Sequence, residues 1–223
     1  MGMTKPIEEY EKDTLSSLGL KYKGLKWCEL GNQRTDEKKV AKEIYLSLGV
    51  EHISIDLNGE DGAIPIDLDK PVPVIFLNQF NVITNYGTIE HINNQFQVFK
   101  NVHDMCKQEG IMIHVLSPTG NWPGHCRYYY SEKFVRELAR DCGYKIFNYK
   151  ILDKSVHKSP NNVIVMTYIK KENNEFITKN EFEQIEGITD SGDLAHTGNY
   201  TNRKVLNRQV IKHILKKVKK FLF

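Results

Sequence analysis

Apolar residues along the chain fall into short runs separated by stretches with helical spacing, a pattern of strands alternating with helices. Ile7 to Leu20 predicts a short helix. Lys26-Trp27-Cys28-Glu29-Leu30 is a compact strand ending at Gly31. Thr35 offers an N-cap, and Val40, Ile44 and Leu48 follow at helical spacing up to Gly49. His52-Ile53-Ser54-Ile55-Asp56 is the next strand, Ala63-Ile64-Pro65-Ile66 a short third one, and Phe80 to Asn85 a fourth. Gln95 to Lys107 predicts a helix closed by Gly110, and Ile111 to Leu116 a fifth strand apolar enough to be buried on both faces. Ser131 caps a helix running to Asp141, with Phe134, Val135 and Leu138 as its apolar stripe and Gly143 beyond it. Tyr144 to Leu152 and Val163 to Ile169 are two further strands. Their connection leaves no room for a helix, so they pair antiparallel.

That order predicts an α/β fold: a Rossmann-like open sheet, mostly parallel with a terminal antiparallel strand, and helices on both faces. Such sheets bind ligands at the C-terminal ends of their strands. Four segments result: an N-terminal helical segment (1–24), the α/β domain (25–170), a polar linker or lid (171–201) and a basic amphipathic helix (202–223).

Charge sharpens this division. The net charge of +3 hides an asymmetry, because residues 203–223 carry eight Lys and Arg and no acid, leaving 23 bases against 28 acids before them. Leu206, Val210, Ile214, Val218 and Phe221 recur between those bases, a helix of about 30 Å. Docking on the protein's own surface, self-association and peripheral contact with an anionic membrane compete as its role. The body lacks basic patches interleaved with aromatics, which argues against nucleic acid as a partner. No apolar run approaches the roughly 20 residues of a membrane span. The acidic start, MGMTKPIEEYEKD, is unlike a signal peptide, so a cytoplasmic location is expected. Cys28, Cys106, Cys126 and Cys142 form no C-x-x-C pair, which predicts reduced, mostly buried thiols.

The candidate chemistry lies where strands end. Glu29-Leu30-Gly31-Asn32-Gln33 sits at the first strand-to-helix turn. A dinucleotide site needs three glycines there; with only Gly31, a pyrophosphate would meet side chains, which argues against a nicotinamide-dependent oxidoreductase. Asp56 ends the second strand, where an acid can accept both ribose hydroxyls; Leu57 can pack on an adenine, and Asp67, followed by Leu68, can take the adenine amino group. Three acids ending three successive strands carry more weight together than any one alone.

These motifs resemble the successive cofactor motifs of class I S-adenosylmethionine-dependent methyltransferases, the methyltransferase type 11-like family. Phe80-Asn81-Val82-Ile83-Thr84-Asn85 is similar to that family's fourth strand, and Tyr86-Gly87-Thr88-Ile89-Glu90-His91-Ile92 to the segment after it. Gly124-His125-Cys126-Arg127-Tyr128-Tyr129-Tyr130-Ser131, with the helix and Gly143-Tyr144 that follow, resembles the stretch after the fifth. The match covers about residues 25–170. The chain departs from the family pattern at Asn32, where a second glycine is usual, and at Asn81, where an acid is usual. The resemblance implies S-adenosylmethionine as cofactor, held by Glu29, Gly31, Asp56, Leu57, Asp67, Leu68, Asn85, Tyr86 and Glu90.

Methyl transfer is an in-line displacement on an activated carbon, so alignment supplies much of the acceleration and a base is needed only for a protonated acceptor. The loop Ser117-Pro118-Thr119-Gly120-Asn121-Trp122-Pro123-Gly124-His125 offers His125 as that base, or as a brace for the next helix; His91 is the other candidate. His114, inside a strand, reads as structural. Tyr128, Tyr129 and Tyr130 line an acceptor pocket or simply pack. His114, His125 and Cys126 lack metal-ligand spacing, so no metal is expected. The expected activity is methylation of a small molecule or saccharide at oxygen; the alternatives are a non-catalytic cofactor-binding module of the same fold and, further off, a nicotinamide-dependent oxidoreductase.

Overall fold

The computed structural model describes residues 2–156, 161–194 and Leu215. Apart from Leu215, which packs against the larger core cluster, the expected basic helix lies outside the described residues.

Six strands form the main sheet: β1 (Lys26–Leu30), β2 (Glu51–Ile55), β3 (Phe80–Tyr86), β4 (Cys106–Leu116), β6 (Tyr144–Leu152) and β7 (Val163–Lys170), in the order β2-β1-β3-β4-β7-β6. Pairing is parallel from β2 to β4; β7 runs antiparallel to both β4 and β6. The strand that closes the sheet in chain order is therefore inserted inside it. β5 (Tyr128–Tyr130) and β8 (Ile188–Asp190) make a separate two-stranded sheet.

Period-two alternation splits the strand residues between two cores. Cys28, Leu30, Ile83, Met112, Ile164 and Met166 face α3 (Gln95–Met105) and α4 (Glu132–Asp141). Trp27, Val82, Ile113 and Val165 face α1 (Lys5–Ser17) and α2 (Ala41–Ser47), which contribute Ile7, Tyr10, Leu15, Ala41 and Tyr45. Each helix buries one stripe, so helices do cover both faces. Ser131 caps α4 by accepting the Phe134 N–H, and the expected stripe of Phe134, Val135 and Leu138 is buried.

Three expectations need correction. Thr35 does not cap α2: its N–H bonds Lys39 and Arg34 bridges Val40, a tight reversal that delays the helix to Ala41. The buried face is then Ala41 and Tyr45, while Leu48 is exposed. The third strand shrinks to a single Ile55–Ile64 bridge, because Pro65 supplies no N–H to extend a ladder. Residues 171–190, expected as a polar linker or lid, carry α5 (Lys179–Gln184) and β8 and bury Phe176, Phe182 and Ile185 in the core. Thr178 and Glu181 form a reciprocal capping box on α5. All four cysteines are buried free thiols. No described helix is long and apolar enough to cross a membrane.

Candidate functional site

The chain leaves β1 toward β2 on one side and β3 toward β4 on the other, so the seam between β1 and β3 is the switch point where an open α/β sheet makes room for a ligand. Gly31 stands at that seam with φ +81°. A Cβ there would collide with the Thr88 hydroxyl and come within 2.6 Å of the Gln33 amide nitrogen. Glycine is demanded by both conformation and space.

Around Gly31 the polar groups bond one another. Asp56 accepts the backbone N–H of Asn32 on one oxygen and that of Asn58 on the other, each at 3.0 Å. The Asn32 side chain donates to the Glu60 carbonyl and to Asp61, which also pairs with Arg34. The Gln33 amide donates to the Leu30 carbonyl at 3.1 Å and to Thr88 at 3.2 Å. Leu57 is half-buried beside Asp56. Asp67 accepts the Asp69 N–H and pairs with Lys70 at 2.6 Å, whereas Leu68 is buried in the core.

Glu29 lies beneath this turn, wholly buried, with His52 Nε2 at 3.8 Å. Burial pushes the Glu29 carboxyl well above its ordinary range and pulls His52 down to about 3. Burial thus disfavours the charged form of both partners, despite their closeness. Tyr86 also points away from the seam: its hydroxyl donates to Glu11 of α1. Glu11 accepts Tyr45 at 2.6 Å and Tyr22 at 2.8 Å as well, so one buried carboxyl ties α1, α2 and β3 together. Asn85 accepts the N–H groups of Thr88 and Ile89, both at 3.0 Å, and so shapes the single turn Ile89–His91.

That turn presents Glu90 and His91 to the loop after β4. One ligand-capable atom from each of Glu90, His91 and His125 lies within 4.8 Å of the others. Glu90 is fully buried; Ser117 donates to its Oε1 at 3.1 Å, while Oε2 has no hydrogen bond. Burial raises the Glu90 pKa. The His91 and His125 rings meet edge-on at 5.3 Å, and Trp122 packs on His125 at 4.8 Å. Trp122 holds a left-handed backbone, φ +57°, fixed by its indole N–H on the Asn162 carbonyl at 2.7 Å and by Tyr129 on its own carbonyl at 2.8 Å. A bulky residue in that conformation costs about 1–3 kcal/mol, strain retained where it positions a side chain. A cavity of about 390 Å³ opens along the same loop, lined by Thr119, Asn121, Pro123, Tyr129, Thr189 and Ser191. Tyr128 and Tyr130 instead pack, donating to the Asn93 carbonyl and to Gln95. His114 is buried in β4, its pKa pulled to about 3 by burial.

Of the residues expected to hold a cofactor, Gly31, Asp56 and Leu57 gather at the seam, with Glu29 buried beneath it, Asn85 shaping the turn after β3 and Asp67 on the loop beyond β2; Tyr86 and Leu68 are buried away from it. Glu90 joins the two histidines expected to act on the acceptor. Gln33, Thr88, Ser117 and Glu11 escape sequence reasoning. Only the Glu90-His91 adjacency hints at the cluster, because His125 arrives on a loop whose path no local pattern specifies.

In sequence the chain matches no family model and no curated protein. In structure it is similar to a 1,6-didemethyltoxoflavin-N1-methyltransferase of Burkholderia thailandensis solved with 1,6-didemethyltoxoflavin and S-adenosylhomocysteine. The TM-score is 0.55 at 12% identity, over 72% of this chain and 76% of that one. The chain has the Rossmann-like methyltransferase fold. A 16S rRNA (adenine(1408)-N(1))-methyltransferase variant from Catenulisporales acidiphilia matches with TM-score 0.50 at 7% identity, over 75% and 92% of the two chains. The [4+2]-cyclase SpnF matches with TM-score 0.52 at 12% identity, over 74% and 80%. One fold thus serves a small heterocycle, a ribosomal RNA and a cyclisation, so the acceptor must be argued from side chains.

Proposed function

We propose that the chain binds S-adenosylmethionine at the β1–β3 seam and transfers its methyl group to an oxygen of a small molecule or saccharide. The observation that carries the reading is Gly31, side-chain-free and left-handed at the switch point, with Asp56 ending the neighbouring strand beside it. These residues fit the cofactor: Asp56 would take the ribose hydroxyls, Leu57 would pack on the adenine, and the backbone at Gly31 would let the methionine end approach. When bound, the cofactor supplies a methyl group already activated on a sulfonium sulfur.

The chain's own part is alignment and proton removal. In the metal-free chain His125, braced by Trp122, is placed to take the proton of the acceptor hydroxyl, with His91 beside it. With its proton removed, the acceptor oxygen would be ready to receive the methyl group that the bound cofactor would supply. The 390 Å³ cavity beside that loop has the size of a small-molecule site.

The side chains of Asn32 and Gln33 give a second reading some support, a module that binds the cofactor without turnover, since they fill space that glycines leave open. Calorimetric titration with S-adenosylmethionine and S-adenosylhomocysteine tests both. Micromolar binding, weakened about 100-fold or more by Asp56→Ala, is expected. No binding in the wild type would sink the reading. Binding with no labelled methyl transferred across a screen of glycans and small hydroxyl compounds would leave the second one.

A further inference from the structure

We infer that Glu90, His91 and His125 form a binding site for a divalent transition-metal cation, with Zn²⁺ the ion that suits them best. Two imidazoles and one carboxylate are a donor set that zinc uses in catalytic sites, where a fourth position stays open for water or substrate. The three groups come from two separate segments, the turn after β3 and the loop after β4, and the fold brings their ligand-capable atoms within 4.8 Å of one another.

Four features support the assignment. Two imidazoles on one tetrahedral zinc, with Zn–N bonds of about 2.0–2.1 Å, hold their ring centres about 5 Å apart; those of His91 and His125 stand 5.3 Å apart. Glu90 keeps one oxygen on Ser117, which orients the carboxylate as outer partners of metal ligands do. Its other oxygen is buried and has no hydrogen bond among the described residues, a cost that a cation would remove. The loop that delivers His125 is pinned at a left-handed Trp122. Donor atoms around zinc stand about 3.3 Å apart, so closing the site asks for a shift on the order of 1 Å, within the reach of side-chain torsions.

The cation site stands whether or not the chain methylates anything. Its use rests on the proposed function: with the cation bound, His125 would be a ligand, and the open position would hold an acceptor oxygen beside the seam and favour its deprotonated form in place of direct proton removal by the imidazole.

Calorimetric titration of chelator-treated full-length protein with Zn²⁺ tests the site. One equivalent should bind, and His125→Ala and Glu90→Gln should each weaken binding about 100-fold while the melting temperature stays near that of the wild type. Asp56→Ala should abolish cofactor binding yet keep the zinc, so failure of the cofactor reading and failure of the metal site are told apart. A wild type that takes up no stoichiometric zinc, or a His125→Ala protein that binds it as well as the wild type, overturns the proposal. Should the variants unfold, Co²⁺ in the wild type decides. The intense visible bands of a four-coordinate ion are expected, and the pale spectrum of hydrated Co²⁺ overturns the site.

Discussion

The two sides of the sheet's C-terminal edge differ in how the groups that would meet a ligand are held. On the β1–β2 side the groups nearest Gly31 are bonded within the chain: Asp56 holds Asn32 and Asn58, Gln33 holds Leu30 and Thr88, and Asp61 holds Asn32 and Arg34, while Asn32 Oδ1 and both Glu29 oxygens beneath them are buried without a hydrogen bond among the described residues. On the β3–β4 side a buried Glu90 oxygen has no hydrogen bond among the described residues, and Trp122 carries backbone strain beside His125. A ligand on the first side must exchange its bonds for existing ones, so its net affinity is a difference between similar terms. A ligand on the second side gains what the fold has left open. The seam is thus suited to a cofactor that comes and goes, and the Glu90 cluster to a group that is held.

The largest effect separates the sides by function. His125→Ala should lower methyl transfer about 10²- to 10⁴-fold while cofactor affinity, read by calorimetry, changes less than about 2-fold. An equal loss of affinity would merge the two sides into one site. Next comes Gly31→Ala, which forces a side chain into a left-handed residue and against Thr88 and Gln33. It should cost about 1–3 kcal/mol in urea unfolding. An unchanged midpoint would mean that the seam yields easily and is not the rigid half.

The alternation of strands and helices, the antiparallel β7, the Ser131 cap and the Gly31–Asp56 pair were legible because each is written in local spacing or a single residue's conformational freedom. The α2 start was not: Thr35 has an N-cap's chemistry, but its backbone closes a turn with Lys39, and nothing local signals that. Residues 171–190 look polar because their buried residues, Phe176, Phe182 and Ile185, are few and widely spaced. Tyr86 follows the seam in sequence, yet alternation along β3 turns it to the opposite face and onto Glu11. The Glu90–His91–His125 group depends on a loop path set by Trp122 and Asn162, a long-range contact that no motif contains.

Under the bonded side, the Glu29–His52 pair makes its stability depend on pH with two opposed signs. Glu29's raised pKa gives stability that is full below the ordinary value of 4.5 and is lost as pH rises from there. His52, depressed to about 3, gives stability present above 6.5 and lost as pH falls toward 3. Glu29→Gln removes the first contribution alone. Its gain over the wild type should grow as pH rises above the ordinary carboxyl value, by at most about 1.4 kcal/mol per pH unit, in urea midpoints. A gain that is flat across that range would mean an ionised Glu29 paired with a charged His52.

The smallest expected effect bears most directly on the comparison. The Gln33 amide occupies the space over Gly31, and its two hydrogen bonds, to the Leu30 carbonyl and Thr88, close the seam on itself. Gln33→Ala removes those bonds, each worth on the order of 1 kcal/mol net, from the cofactor-free chain. The Leu30 carbonyl keeps the Thr88 hydroxyl at 2.9 Å, so no acceptor is orphaned and the fold should lose little. A cofactor that must displace the amide should then bind about 3-fold or more tighter, by the same linkage that lets any ligand exploit a pre-opened state. Weaker binding in Gln33→Ala would give the opposite assignment: the amide would be a cofactor contact, and the bonded side would already be arranged for its ligand.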